Sequence, residues 1–120
     1  MKTTHETIES FYSSIERKDF AAVRRLLHDD LEFQGPVETV EGADDLVATL
    51  AKLSRLTESF RVEQLFVDGD RACCVYDLIT ATPLGASPVA DYFVVRDGRI
   101  ASIRAHCDSR PWVALFASGA

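Results

Sequence analysis

Apolar residues at Ile8, Phe11, Tyr12 and Ile15 recur three and four apart in THETIESFYSSIERK, and that spacing predicts a helix with one buried face. Thr4 is placed to cap it, with Glu6 and Thr7 in the first turn. Lys18 and Asp19 break the pattern. Asp19 then caps a second, short helix carrying Phe20, Val23, Leu26 and Leu27. LEFQGP alternates briefly and stops at Gly35-Pro36, as a short strand does. EGADDLVATLAKLSRL sets Leu46, Val47, Leu50 and Leu53 on one stripe behind an acidic first turn, and predicts a third helix.

The period then changes to two. SFRVEQLFVDGDRACCVYDLITATPLGASPVADYFVVRDGRIASIRAHCD alternates, is rich in β-branched residues, and is punctuated at Asp68-Gly69, Pro83-Leu84-Gly85 and Asp97-Gly98. Four antiparallel strands are predicted near 58–67, 71–80, 88–96 and 99–108. The tail SRPWVALFASGA is predicted to form a turn or helix that packs Trp112 and Phe116 onto the sheet. Helices first and strands afterwards is an α+β pattern: three N-terminal helices on one face of a curved antiparallel sheet.

At 120 residues the chain predicts one domain, 1–120, with a core of roughly 30 to 40 side chains. The net charge of −6 comes from interleaved acids and bases, which leaves no contiguous footprint for nucleic acid or an anionic membrane. The polar start MKTTHETIES lacks the apolar stretch of a signal peptide. Three cysteines, an odd number with two adjacent, fit a reducing cytoplasmic compartment better than a disulfide framework. Neither zinc-type spacing nor a phosphate-cradling glycine loop is present, so no metal and no cofactor is expected.

The order of elements, with LLHDDLEFQGP, EGADDLVATL and the closing DYFVVRDGRIASIRAHCD, resembles the nuclear transport factor 2-like superfamily, and within it SnoaL-like and ketosteroid-isomerase-like domains. The resemblance covers nearly the whole chain. It implies a sheet curled into a cone around an apolar pocket, with a homodimer formed through the convex face. It also implies that Asp91 faces the pocket, where burial would raise its pKa and let it donate a hydrogen bond as an acid. The other reading of Asp91 is a strand-start residue bonded to backbone or to an arginine. Other family roles do not carry over. Phe11 holds the place of a helix-1 tyrosine, with Tyr12 one residue away, and Gly35 holds the place of a carboxylate base. Val89 replaces an arginine that epoxide hydrolases of this fold use.

Asp77, on the preceding strand, is the candidate base. A hairpin turning about Leu84-Gly85 brings residue 77 opposite 91–92 and on the same face, and a one-residue change of register reverses that. Counting along the last strand puts Ile103, Ala105 and Cys107 toward the pocket, with Arg104, His106 and Asp108 away from it. Phe11, Tyr12, Gln34, Tyr76, Phe93, Cys107 and Trp112 are the candidate pocket lining, each equally explained as packing. The expected ligand is an apolar ring-bearing or polyketide-like small molecule. Two functions stay open: cofactor-free acid–base chemistry (isomerase, cyclase, dehydratase or epoxide-hydrolase type), or a non-catalytic ligand-binding or dimerisation domain.

Overall fold

The computed structural model describes residues 2–119. Helix α1 (Thr4–Glu16) is capped by Thr3, one residue before the Thr4 that the sequence reading expects. Thr3 accepts from the Glu6 N–H at 3.1 Å, and the Glu6 carboxylate accepts from the Thr3 N–H at 3.1 Å. Thr4 instead donates its hydroxyl to the Gly69 carbonyl at 2.8 Å, tying the helix start to a hairpin turn. Lys18 takes a left-handed backbone, φ 58°, and breaks the chain there. Asp19 then caps α2 (Phe20–Arg25) through the Ala22 N–H.

The strand β1 (Leu27–Gln34) begins at Leu27, a residue the helical stripe had claimed. A short β2 (Thr39–Glu41) follows, antiparallel to β1. Three residues are too few to show a period, which is why the pattern did not reveal it. Helix α3 (Ala43–Leu53) carries Asp44 and Asp45 in its first turn, where the helix dipole favours them. Strands β3 (Thr57–Asp68), β4 (Arg71–Thr80), β5 (Ala86–Arg96) and β6 (Arg99–Cys107) form the predicted meander, and α4 (Arg110–Ala117) closes the chain.

The six strands lie in the order β2-β1-β6-β5-β4-β3, antiparallel except for β1 beside β6. The last strand therefore fills the middle of the sheet. Inward positions on β4 are Ala72, Cys74, Tyr76 and Leu78, and on β5 are Val89, Asp91, Phe93 and Val95, all buried. The helices cover this inner face. Ile8 of α1, Val23 of α2, Leu31 of β1 and Leu46 of α3 are fully buried against Phe93, Ile100 and Ile103 of the sheet. This is the predicted α+β architecture.

The β4–β5 hairpin decides the parity of the site. Its last pair is Ile79 with Ala86, and Gly85, at φ 72°, receives both the Thr80 N–H and the Thr80 hydroxyl on its carbonyl. The turn is thus centred on Thr82 and Pro83 rather than on Leu84-Gly85. Asp91 consequently sits opposite Cys74, and Asp77 opposite Pro88.

Candidate functional site

Between the sheet and α1, α3 and α4 lies a cavity of about 700 Å³, within the usual size range for a small-molecule site. Its walls are apolar: Phe11, Ile15, Leu50, Phe60, Leu78 and Val89 contribute, with Trp112 of α4 overhead. Trp112 is fixed there because its indole N–H donates to Ser87 Oγ at 3.0 Å. Lys52, Arg55 and Glu38 also line the cavity, and their side chains are exposed.

Asp91 lies in the middle of β5 and faces this cavity, 5% exposed. It is not a strand-start residue, because β5 begins at Ala86. The Tyr12 hydroxyl donates to Asp91 Oδ2 at 2.7 Å and the Tyr76 hydroxyl donates to the same oxygen at 2.9 Å. The rings that carry them meet edge to face, 5.1 Å apart, and both pack against Phe60. Among the described residues none bonds Oδ1. Yet among the described residues no fully enclosed side-chain polar atom lacks a partner, so Oδ1 is open to the cavity.

Opposing forces act on this carboxyl. Burial lifts it from 3.8 to about 6, and the two tyrosine bonds, which favour the charged form, pull back down. The tyrosines move the other way. Burial first, and then the Asp91 charge, push both hydroxyls well above their ordinary range, so they remain donors. Burial also raises Cys107, and lifts Cys74 to about 11, which keeps both as thiols at neutral pH.

Tyr12 is the residue whose role the helical count understated. Phe11 and Tyr12 are neighbours roughly 100° apart on α1, yet both are buried and both line the cavity. The tyrosine shifted by one position still reaches Asp91.

Several expected site residues lie elsewhere. Asp77 points out of the convex face, where Arg61 donates to its Oδ2 at 2.8 Å; it pairs with Pro88, an odd number of residues from Asp91, so the two carboxyls lie on opposite faces and do not meet. Gln34 is exposed, paired across β1–β6 with Arg104 on the outer face, while its neighbours Phe33 and Gly35 line the cavity. Phe93 is fully buried behind the cavity wall, edge to face with Phe11 at 5.7 Å. Phe11, Tyr12, Tyr76, Cys107 and Trp112 do line the cavity. Phe60 was missed, although its inward parity, opposite Leu78, follows from the alternation of β3 once the register is known. His106 is exposed on the outer face. Among the described residues no group of three or more His, Cys, Asp and Glu side chains could hold a metal ion, and no helix is long and apolar enough to cross a membrane.

A strongly curved six-stranded sheet, closed by N-terminal helices over an inward cavity, is the cone of the nuclear transport factor 2-like superfamily. Residues 8–103 match the model of the SnoaL-like domain, and the chain belongs to that family. A solved protein from Kribbella flavida superposes with a TM-score of 0.85 at 26% identity, over 93% of this chain and 92% of that one. A candidate polyketide cyclase from Sinorhizobium meliloti gives 0.77 at 16% identity, over 83% and 93%. A candidate ketosteroid isomerase from Kribbella flavida gives 0.75 at 15% identity, over 88% and 77%. No curated protein matches the sequence.

Proposed function

We propose that this SnoaL-like domain binds an apolar, ring-bearing or polyketide-like carbonyl compound and moves a proton on it without a cofactor, with Asp91 as the single acid–base group. The observation that carries the reading is the split carboxylate. One oxygen is held by two tyrosine hydroxyls, and the other is free on an apolar cavity. A carboxyl near 6 is mostly ionised at neutral pH, so the resting state is a base. Oδ1 takes a proton from carbon next to the carbonyl; the resulting acid then returns it to another atom of the same conjugated system. The Tyr12 and Tyr76 bonds hold the carboxylate in one orientation while it does so. This assigns Asp91 the base role that sequence reasoning gave to Asp77. The names of the polyketide-cyclase and ketosteroid-isomerase neighbours point to the same substrate class by analogy of fold alone.

A bicyclic ketone such as 2-tetralone in heavy water tests this. Wild type is expected to accelerate α-proton exchange, and Asp91→Asn to bind the ketone without doing so. Binding with no acceleration by wild type would favour the second reading, a ligand-binding domain that is not catalytic. That reading rests on Gly35 and Phe11, which stand at the cavity where the isomerase pattern has a base and a tyrosine.

The protein is further proposed to be a homodimer through the convex sheet face. Phe66, Cys73, Tyr92 and Arg104 form one cross-strand row there, and Phe66 is 58% exposed. Three free thiols support a cytoplasmic location.

A further inference from the structure

On the far side of α1 from the cavity, α1, α2 and the β5–β6 turn enclose a second cleft of about 560 Å³. Lys2, Arg17, Arg25 and Arg99 line it, with a single acidic side chain, Asp97. The whole chain has 13 Lys and Arg against 19 Asp and Glu, so this cleft inverts the overall balance. Of the seven arginines elsewhere, five (Arg24, Arg61, Arg71, Arg96 and Arg110) pair with carboxylates, and among the described residues Arg55 and Arg104 are the two exceptions. Among the described residues none of the four cleft cations does. Asp29 feels the charge of Arg99 but is bonded to Arg24.

Serines position two of these cations without cancelling their charge. Lys2 Nζ donates to Ser10 Oγ at 2.6 Å. Arg17 donates through Nη1 to Ser13 Oγ at 3.2 Å and through Nη2 to Ser14 Oγ at 3.3 Å. The Arg17 fork keeps further N–H donors, and the Ser10 and Ser14 hydroxyls keep a proton to donate. Four cations and two hydroxyls converging on one cleft satisfy an anion with several oxygens in more than one direction. Guanidinium forks match phosphate oxygens two at a time.

We propose that this cleft binds a small polyanion bearing two or more phosphate groups. Its volume suits a small molecule. An extended polyanion such as nucleic acid or an anionic membrane would meet the acidic remainder of a −6 chain as soon as it left the cleft.

The test titrates the full-length, nitrogen-15-labelled protein with inorganic pyrophosphate at low salt. Saturable amide shifts are expected at residues 10–17, at Arg25 and at Gly98 and Arg99. The double variant Arg25→Gln, Arg99→Gln should weaken binding at least about tenfold, in line with the loss of charge-assisted bonds. Both side chains are exposed, so the fold should survive, and an unchanged circular dichroism spectrum checks it. Arg61→Gln, on the opposite face of the sheet, should leave the affinity alone. Shifts that never saturate, an equal loss in Arg61→Gln, or binding to phosphatidylglycerol vesicles but not to pyrophosphate would each overturn the proposal.

Discussion

Tyr12 donates its hydroxyl to Asp91 Oδ2 at 2.7 Å, joining α1 to β5 across 79 residues of chain. The bond lies in the cavity wall, and Tyr76 of β4 donates to the same oxygen at 2.9 Å. Packing of α1 on the sheet and the electrostatics of the site are thus one construction. A change in either should be felt in the other.

Burying this carboxyl should make stability depend on pH in a particular direction. With its folded value near 6 against 3.8, the native state holds a proton between those limits that the unfolded chain has lost. Asp91 therefore favours folding least above about pH 6 and is relieved as pH falls toward 4. The difference is on the order of 3 kcal/mol, at about 1.4 kcal/mol per pH unit. Asp29 and Asp108, held low by Arg24 and Arg110, act in the opposite sense as pH falls. The readout is accordingly wild type minus Asp91→Asn in urea melts from pH 4 to 7.5. Asp91→Asn should gain relative stability as pH rises. A difference that stays flat across that range would mean the carboxyl is not destabilised by burial.

Asp77→Ala should matter little. Its partner Arg61 is 69% exposed and the pair is screened by water, so the loss should stay within about 1 kcal/mol. Ketone binding and proton exchange should match wild type. A large loss of exchange in this variant would restore Asp77 as a functional base and contradict the observed register.

Gly35 resists the carboxylate that the isomerase pattern would place there. A Cβ at this position would stand 3.0 Å from Phe33 Cε1 and 3.2 Å from the Glu38 carbonyl oxygen. The same carbonyl accepts the Gly35 N–H at 2.8 Å, so it has little room to retreat. Gly35→Asp should cost about 1–3 kcal/mol by overpacking, measured as a lowered denaturation midpoint. An unchanged midpoint would show that the β1–β2 turn adapts freely.

Assembly can be read from one side chain. If Phe66 anchors the proposed dimer, sedimentation of wild type at micromolar concentration should give a species of twice 13.3 kDa, and Phe66→Lys should give a monomer. A monomeric wild type would remove the interface.

The helices and strands were legible because their periods are long and clean. Ile8 to Ile15 and Leu46 to Leu53 spell out helix faces, and β4 and β5 alternate along nearly their whole length. The site was legible only in part, because strand parity depends on turn centres that alternation does not fix. Sharing a face with Asp91 required Asp77 to pair with residue 91 itself, and the observed pairing with Pro88 puts it on the other face. The same weakness misplaced Gln34, since LEFQGP holds too few residues to anchor its register. The Tyr12–Asp91–Tyr76 contact joins three elements far apart in sequence, and only the register of β4 on β5 and the placement of α1 bring it together.

The most direct measurement is a pH titration of the Asp91 side-chain carboxyl by carbon-13 NMR, in wild type and in Tyr76→Phe. The wild-type midpoint should fall near 6, because burial outweighs two tyrosine bonds. In Tyr76→Phe the midpoint should move higher, because one donor to the charged form is gone. A wild-type midpoint near 4, unmoved by loss of the tyrosine hydroxyl, would contradict the account: the carboxylate would then be a solvated ion and not the proton carrier of an apolar cavity.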